Sequence, residues 1–175
     1  MILDLDEPRY TQAEVLRMLP GLKAKQLQNW SNRGVLDTGD QKPGKGLRRK
    51  YTPAGVIALD FMQEATLFGI PPANARQMAD EYVAAADEFL GSNPEVITKA
   101  DGCRWIPVTP EKMESFRKGR ITRISDSEYH LFVERRDGVI PFEDRFSTIF
   151  HVALEVDYRV AMAVNRMFLL ECGQI

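Results

Sequence analysis

The chain has 175 residues, 44% hydrophobic and 27% charged, a balance that supports one ordinary domain or two small ones with modest cores and excludes wholesale disorder. Its beginning, MILDLDEPRY, is acidic, without a basic or an apolar segment, and no apolar run reaches membrane length, so secretion and membrane insertion are disfavoured. The net charge of −2 hides an asymmetry: residues 11–53 carry nine Lys/Arg against three acids and residues 54–175 thirteen against nineteen, which predicts that only the first part meets a polyanion.

Tyr10-Thr11-Gln12-Ala13-Glu14-Val15 predicts a helix start. Thr11 caps the free amides, Glu14 three residues on completes a capping box, and Tyr10 staples to Val15. Val15, Leu16 and Leu19 supply the buried face, and Pro20-Gly21 ends the helix after barely two turns. A second short helix is predicted over residues 24–32, with Leu27 and Trp30 as inward anchors and Gly34 as its stop. Its other positions are Lys23, Lys25, Gln26, Gln28, Asn29, Ser31, Asn32 and Arg33, groups that donate to phosphates or to base edges. Two short helices joined through a Pro-Gly turn, the second polar and basic outside, make a helix-turn-helix pattern. Val35-Leu36 reads as a short buried strand. Residues 37–50 are polar, glycine-bearing and basic, ending in Leu47-Arg48-Arg49-Lys50-Tyr51. They are expected to form a β-hairpin, a wing with cations near its tip.

Thr52-Pro53 places a capping residue before proline at the first helical position, opening a helix that closes at Gly69. Pro71-Pro72 opens the next, with Ala75, Met78, Tyr82, Val83, Ala86 and Leu90 on its apolar side, and Gly91-Ser92-Asn93-Pro94 breaks it. That break is the clearest boundary in the chain, so two units are expected, residues 1–92 and 95–175. In the second, residues 104–108 and 129–133 are strand-like, Thr109-Pro110 caps a short helix running to Gly119, and Asp137-Gly138 signals a hairpin. Residues 147–152 could extend a strand. From there Ala153, Val156, Val160, Ala163, Met167 and Leu170 repeat at spacings of three and four, beside a second apolar row of Leu154, Ala161, Val164 and Phe168. A helix with two greasy rows has more apolar surface than one small sheet needs, so it is expected to self-associate. The fold class is α+β: an N-terminal winged helix-turn-helix followed by a small antiparallel-sheet domain that ends in a long helix.

Other chemistries find little support. Cys103 and Cys172 are far apart and outside any metal-ligand spacing, as are His130 and His151, so plain thiols in a reducing compartment are expected, with no metal and no cofactor. Residues 39–46 satisfy GxxxxGK, but Gly46 stands where a P-loop needs Ser or Thr, and no helix follows at once. Asp126, Glu128, Glu134, Asp137, Glu143 and Asp144 alternate with arginines around turns, as a solvated rim does, so no enzyme is expected. Trp105, Phe132, Phe142, Phe146 and Phe150 could line a ligand pocket or fill an ordinary sheet core.

The order of elements and several phrases resemble the MerR family of transcription regulators over residues 9–90. The phrases are Arg9-Tyr10-Thr11, Leu27-Gln28-Asn29-Trp30, Arg33-Gly34-Val35-Leu36, Gly46 with Arg48 to Tyr51, and Phe68-Gly69-Ile70-Pro71-Pro72. The resemblance implies a cytoplasmic, nucleoid-associated protein that binds double-stranded DNA as a homodimer, its second helix in the major groove and its wing along the backbone. On that pattern Lys25, Gln26, Gln28 and Asn29 occupy recognition-helix positions and Arg48, Arg49 and Lys50 the wing; Lys23, Lys25, Arg48, Arg49 and Lys50 are expected to contact phosphates, Gln26, Gln28 and Asn29 to read bases, and Arg33 and Lys45 to join the DNA-binding set. Trp30 stands where the family usually has tyrosine, and Gln28 and Asn29 replace its arginine and tyrosine. The break at residues 91–94 falls where many members continue into a long dimerisation helix, so here the dimer is expected through the C-terminal helix, with a protein partner such as RNA polymerase also possible. Two other readings stay open: an architectural, excisionase-like DNA-bending protein, and a protein-interaction module that does not bind DNA.

Overall fold

A computed structural model describes residues 3–36, 49–94, 117, 119–125, 128–133, 151–154 and 156–175. In chain order these residues form β1 (Tyr10–Thr11), α1 (Gln12–Met18), α2 (Ala24–Asn32), β2 (Lys50–Tyr51), α3 (Pro53–Leu67) and α4 (Pro72–Ser92). They continue as β3 (Gly119–Ser125), β4 (Glu128–Val133), β5 (His151–Leu154) and α5 (Val156–Glu171). The architecture is α+β.

Each helix boundary in the first half has a local cause. Thr11 accepts from the Glu14 amide, while the Glu14 carboxylate accepts from the Thr11 amide at 2.6 Å and hydroxyl at 2.8 Å, closing the expected capping box. Val15 and Leu19 are buried as expected, joined by Met18, whereas Leu16 is only half-buried. In the turn that follows, a Cβ on Gly21 would meet the Gln63 side-chain amide of α3, so a larger residue there would have to displace that flexible side chain. The Gly34 amide bonds to Ser31 O and the Val35 amide to Trp30 O, with Gly34 at φ +66. That paired closure explains why α2 stops where it does. It also corrects the strand expected at Val35-Leu36: the Val35 amide is already spent on capping α2, and both residues are half-buried irregular chain. The Thr52 hydroxyl caps α3 at the Gly55 amide, 3.0 Å, with Pro53 in its first turn. At the other end of α3, Gly69 at φ +83 and the Ile70 amide on Ala65 O repeat the α2 closure.

Two further findings concern the first sheet and the end of α4. The strand segment 50–51 pairs with the lead into α1, Tyr10 opposite Tyr51 and Thr11 opposite Lys50, a partner that the turn-rich stretch after α2 did not suggest. The expected wing tip at 37–48 lies outside the described residues. Helix α4 runs through Gly91 and Ser92 and is capped at Asn93, within the break expected at residues 91–94, and the Asn93 side-chain amide donates to Phe89 O at 2.7 Å.

In the second half β3 is central in the order β4-β3-β5, both pairings antiparallel, with Ile121 opposite Leu131 on one side and Val152 on the other. The region was expected to hold a small antiparallel sheet, but β3 was not foreseen, and Gly119 begins this strand. Ala153 and Leu154, read as the first turn of the last helix, belong to β5. The segments 104–108 and 109–116 and the hairpin at 137–138 lie outside the described residues.

Helix α5 returns to pack against α1, α3 and α4. Buried residues from Leu3 to Leu90 and from Ile121 to Leu170 therefore share one hydrophobic cluster. None of the sixteen residues of α5 is exposed: of its apolar rows Val156, Val160, Ala161, Ala163, Val164, Met167 and Leu170 are buried and Phe168 is half-buried within the single chain. Two ionic knots hold it there. Arg159 and Arg166 reach the buried Asp60 of α3 at 3.3 and 3.2 Å, and Arg159 also reaches Glu64 at 3.2 Å. Burial pushes the Asp60 carboxyl up, against the pull of the two guanidiniums. Beyond α4, Arg117 donates from Nε and Nη2 to Asp157 at 3.0 Å and from Nη1 to Glu88 at 2.8 Å. Cys172, just after α5, is disulfide-bonded, and the described residues hold no free cysteine. This corrects the expectation of a plain thiol at Cys172.

Candidate nucleic-acid interface

Helix α2 buries one side and exposes the other. Leu27 and Trp30 are 1% and 4% exposed, seated in the core, while Lys23, Lys25, Gln28, Asn29, Asn32 and Arg33 are all exposed. With about 100° between successive residues, Gln28, Asn32, Lys25 and Asn29 fall within an arc of about 100° centred opposite the two buried anchors. They form the crest of the helix. Asn32 was recognised as outward-facing but not as a candidate contact; the signal was available, since it follows Gln28 by four residues and Lys25 by seven. Lys23 and Arg33 flank the helix as its N- and C-terminal capping residues. At 1.5 Å per residue they stand about 15 Å apart along the axis.

The remaining predicted residues divide between the two flanks. Gln26 is half-buried and leans onto α3, its side-chain amide 3.5 Å from the Thr66 hydroxyl, which removes it from the crest. On the opposite flank Arg49 donates to the Ser31 hydroxyl, so the strand entering β2 is fastened to α2 by one of the predicted cations. Lys50 is exposed and lies in register with Thr11, on the side of Glu14. The Thr11 amide and hydroxyl hold the Glu14 carboxyl below its usual range, and Arg17 and Lys50 add to the effect. Extended neighbours project to opposite sides, and here Arg49 turns to α2 while Lys50 turns to α1. Lys45 and Arg48 lie outside the described residues.

The electrostatics of this face are one-sided. Among the described residues of α2 and its two caps there are three cations and no acid. Such a surface, with amide side chains along its crest, offers donors to phosphate oxygens and paired donor-acceptor groups to base edges.

The other candidates are less informative. Of the expected acidic rim, Asp126, Glu134, Asp137, Glu143 and Asp144 lie outside the described residues, as do Trp105, Phe142, Phe146 and Phe150. Only the backbone is described for Glu128 and Phe132. Among the described residues no helix is long and apolar enough to cross a membrane. Comparison with models of known protein families and with curated proteins finds no match for this chain.

Proposed function

We propose that the chain is a sequence-specific DNA-binding regulator of transcription, a winged helix-turn-helix protein of MerR type that lays α2 in the major groove. The observation that carries this reading is the crest of α2: Lys25, Gln28, Asn29 and Asn32 exposed together, with Lys23 and Arg33 at the ends of the helix and none of them buried. An α-helix with side chains is about 10–12 Å across, and the major groove is about 12 Å wide. The crest amides Gln28, Asn29 and Asn32 would reach base edges, where amides pair best with adenine, while Lys23, Lys25, Arg33, Arg49 and Lys50, with Lys45 and Arg48, would meet phosphates. The reading assigns the protein no catalytic step and no cofactor. It sets the chain at the nucleoid in the cytoplasm, a compartment in which the Cys172 disulfide is unusual.

The reading includes a homodimer. The reading places its contact on α5, whose buried apolar residues pack within the chain and whose Met162, Phe168 and Leu169 are half-buried. Sedimentation of the protein, alone and with duplex, gives the stoichiometry. The deciding experiment is a salt titration of duplex binding by the full chain. A dimer with about four phosphate contacts per copy loses affinity with a log–log slope near −7. Binding that is indifferent to salt, or absent at low salt, rejects the reading.

A further inference from the structure

Beside the crest, on the flank away from Arg49, α2 and the turn between α3 and α4 enclose a groove of about 560 Å³. Its wall is mostly apolar, made by Trp30, Val35, Pro71, Pro72 and Ala73, and the cations Lys23, Lys25 and Arg33 line it with Gln26 and Asn29. The same turn carries Leu67 and Phe68, 73% and 44% exposed. These are two of the three large apolar side chains exposed among the described residues. Every charged residue lining the groove is a cation.

DNA binding accounts for the cations but not for the apolar wall. A phosphate backbone has nothing apolar to place against Trp30 and the two prolines, and the concavity faces sideways from the crest that would enter the major groove. A concave apolar surface lined also by charges suits a side-chain anchor flanked by charges of the opposite sign. We infer that this groove binds an acidic segment of a partner protein, one that seats an aliphatic or aromatic side chain against Trp30 and the Pro71-Pro72 turn and sets carboxylates on Lys25 and Arg33. Because those two cations also belong to the α2 face, a bound segment and a bound duplex exclude each other. The acidic partner is therefore an antagonist of DNA binding. The groove's affinity for the segment stands without the DNA reading; only the antagonism rests on it.

The test uses the full chain and a short fluorescein-labelled peptide of Asp and Glu around one Leu-Phe pair, followed by fluorescence anisotropy. Two control peptides replace the Leu-Phe pair by Gly-Gly or the acids by Lys. Ala73, which lines the groove in the first turn of α4 and is exposed, provides the variants. An acid is well tolerated in a first helical turn, and circular dichroism checks that each variant keeps its fold. We expect Ala73→Glu to weaken the acidic peptide about ten-fold, Ala73→Lys to tighten it, and both control peptides to bind at least about ten-fold more weakly than the parent. The groove assignment is overturned if the acidic peptide fails to bind, if the Gly-Gly peptide binds as well, or if neither Ala73 variant moves the affinity. Added duplex should release the peptide; a ternary complex overturns the antagonism, and a duplex that does not bind at all overturns the DNA reading while the peptide result stands.

Discussion

The Arg9 guanidinium donates to the Glu171 carboxylate at 3.0 Å, tying the residue before β1 to the last turn of α5 across 162 positions of sequence. The Tyr10 hydroxyl donates to the same oxygen, also at 3.0 Å. Burial pushes the Tyr10 phenol up and Glu171 pushes it further, so it stays a donor at any working pH. Through this contact the last turn of α5 bears on the lead-in to α1, one residue before the Thr11–Glu14 capping box begins.

Glu171→Ala removes the acceptor of both bonds and leaves the buried Tyr10 hydroxyl without it. Hydrogen bonds to a charged group contribute about 1.5–3 kcal/mol, and we expect a loss of about 2 kcal/mol in urea unfolding. In a cycle with Arg9→Ala the two losses should fall short of additive by at least about 0.5 kcal/mol. Strict additivity would mean that the pair makes no energetic contact in solution.

Arg117 and Asp157 make a sharper case, because Arg117 is 7% exposed and Asp157 not at all. Burial alone would lower the Arg117 guanidinium, but Asp157 and Glu88 more than reverse this and hold it raised. Asp157 also accepts from the Arg117 amide at 2.9 Å. Removing one charge strands the other in the interior, at a cost of about 3–5 kcal/mol. We therefore expect Asp157→Ala to fold poorly or to melt far below the parent. The double variant Asp157→Leu with Arg117→Met should recover most of that loss in thermal unfolding. A single variant as stable as the parent would refute the buried pair.

The capping box gives a pH dependence with a definite sign. The Thr11 amide and hydroxyl hold the Glu14 carboxyl below its ordinary 4.5, so the unfolded chain takes up the proton first as pH falls. The stability this contributes is complete above the unfolded value and is lost as pH drops through the lower folded value. Thr11→Ala should cost about 1 kcal/mol at neutral pH. The difference from the parent should narrow on acidification, measured by urea unfolding from pH 7 to pH 3. A gap that widens in acid contradicts the assignment.

What could be read from the sequence was whatever neighbours in the chain decide. Thr11 with Glu14, Thr52 before Pro53, and the glycines at 34 and 69 fix helix ends through bonds spanning at most five residues, and each falls where it was expected. Leu27 and Trp30 could likewise be named as anchors, because helical spacing alone separates them from Lys25 and Gln28. The pairing of 50–51 with 10–11 could not, since it joins segments about forty residues apart and neither has a strand-length pattern. The placement of α5 was missed for a related reason. Its two apolar rows announce a partner surface without saying whose, and only Asp60 on α3, an acid inside an otherwise apolar helix face, hinted that Arg159 and Arg166 would meet it in the same chain. At the candidate interface, helical spacing yielded the crest, but Gln26 leaning on Thr66 and Arg49 fastened to Ser31 depend on what packs beside α2.

The crest and flanks of α2 should separate in binding experiments. Lys25→Ala and Lys50→Ala remove charge that no base edge needs, so each should weaken every duplex by a similar factor and flatten the salt slope by about 1 per chain. Gln28→Ala removes a paired donor and acceptor from the crest, and should change the ranking of sequences at one or two base pairs by about 1–3 kcal/mol. Ser31→Ala tests the flank by a different route. Ser31 is half-buried and fastens Arg49 to α2, so its loss should lower affinity uniformly, by freeing the guanidinium, with the sequence ranking unchanged. A selected-site binding assay on the four variants reads both quantities at once. If Gln28→Ala lowers all sequences equally, the crest does not read bases, and α2 lies on the phosphate backbone alone.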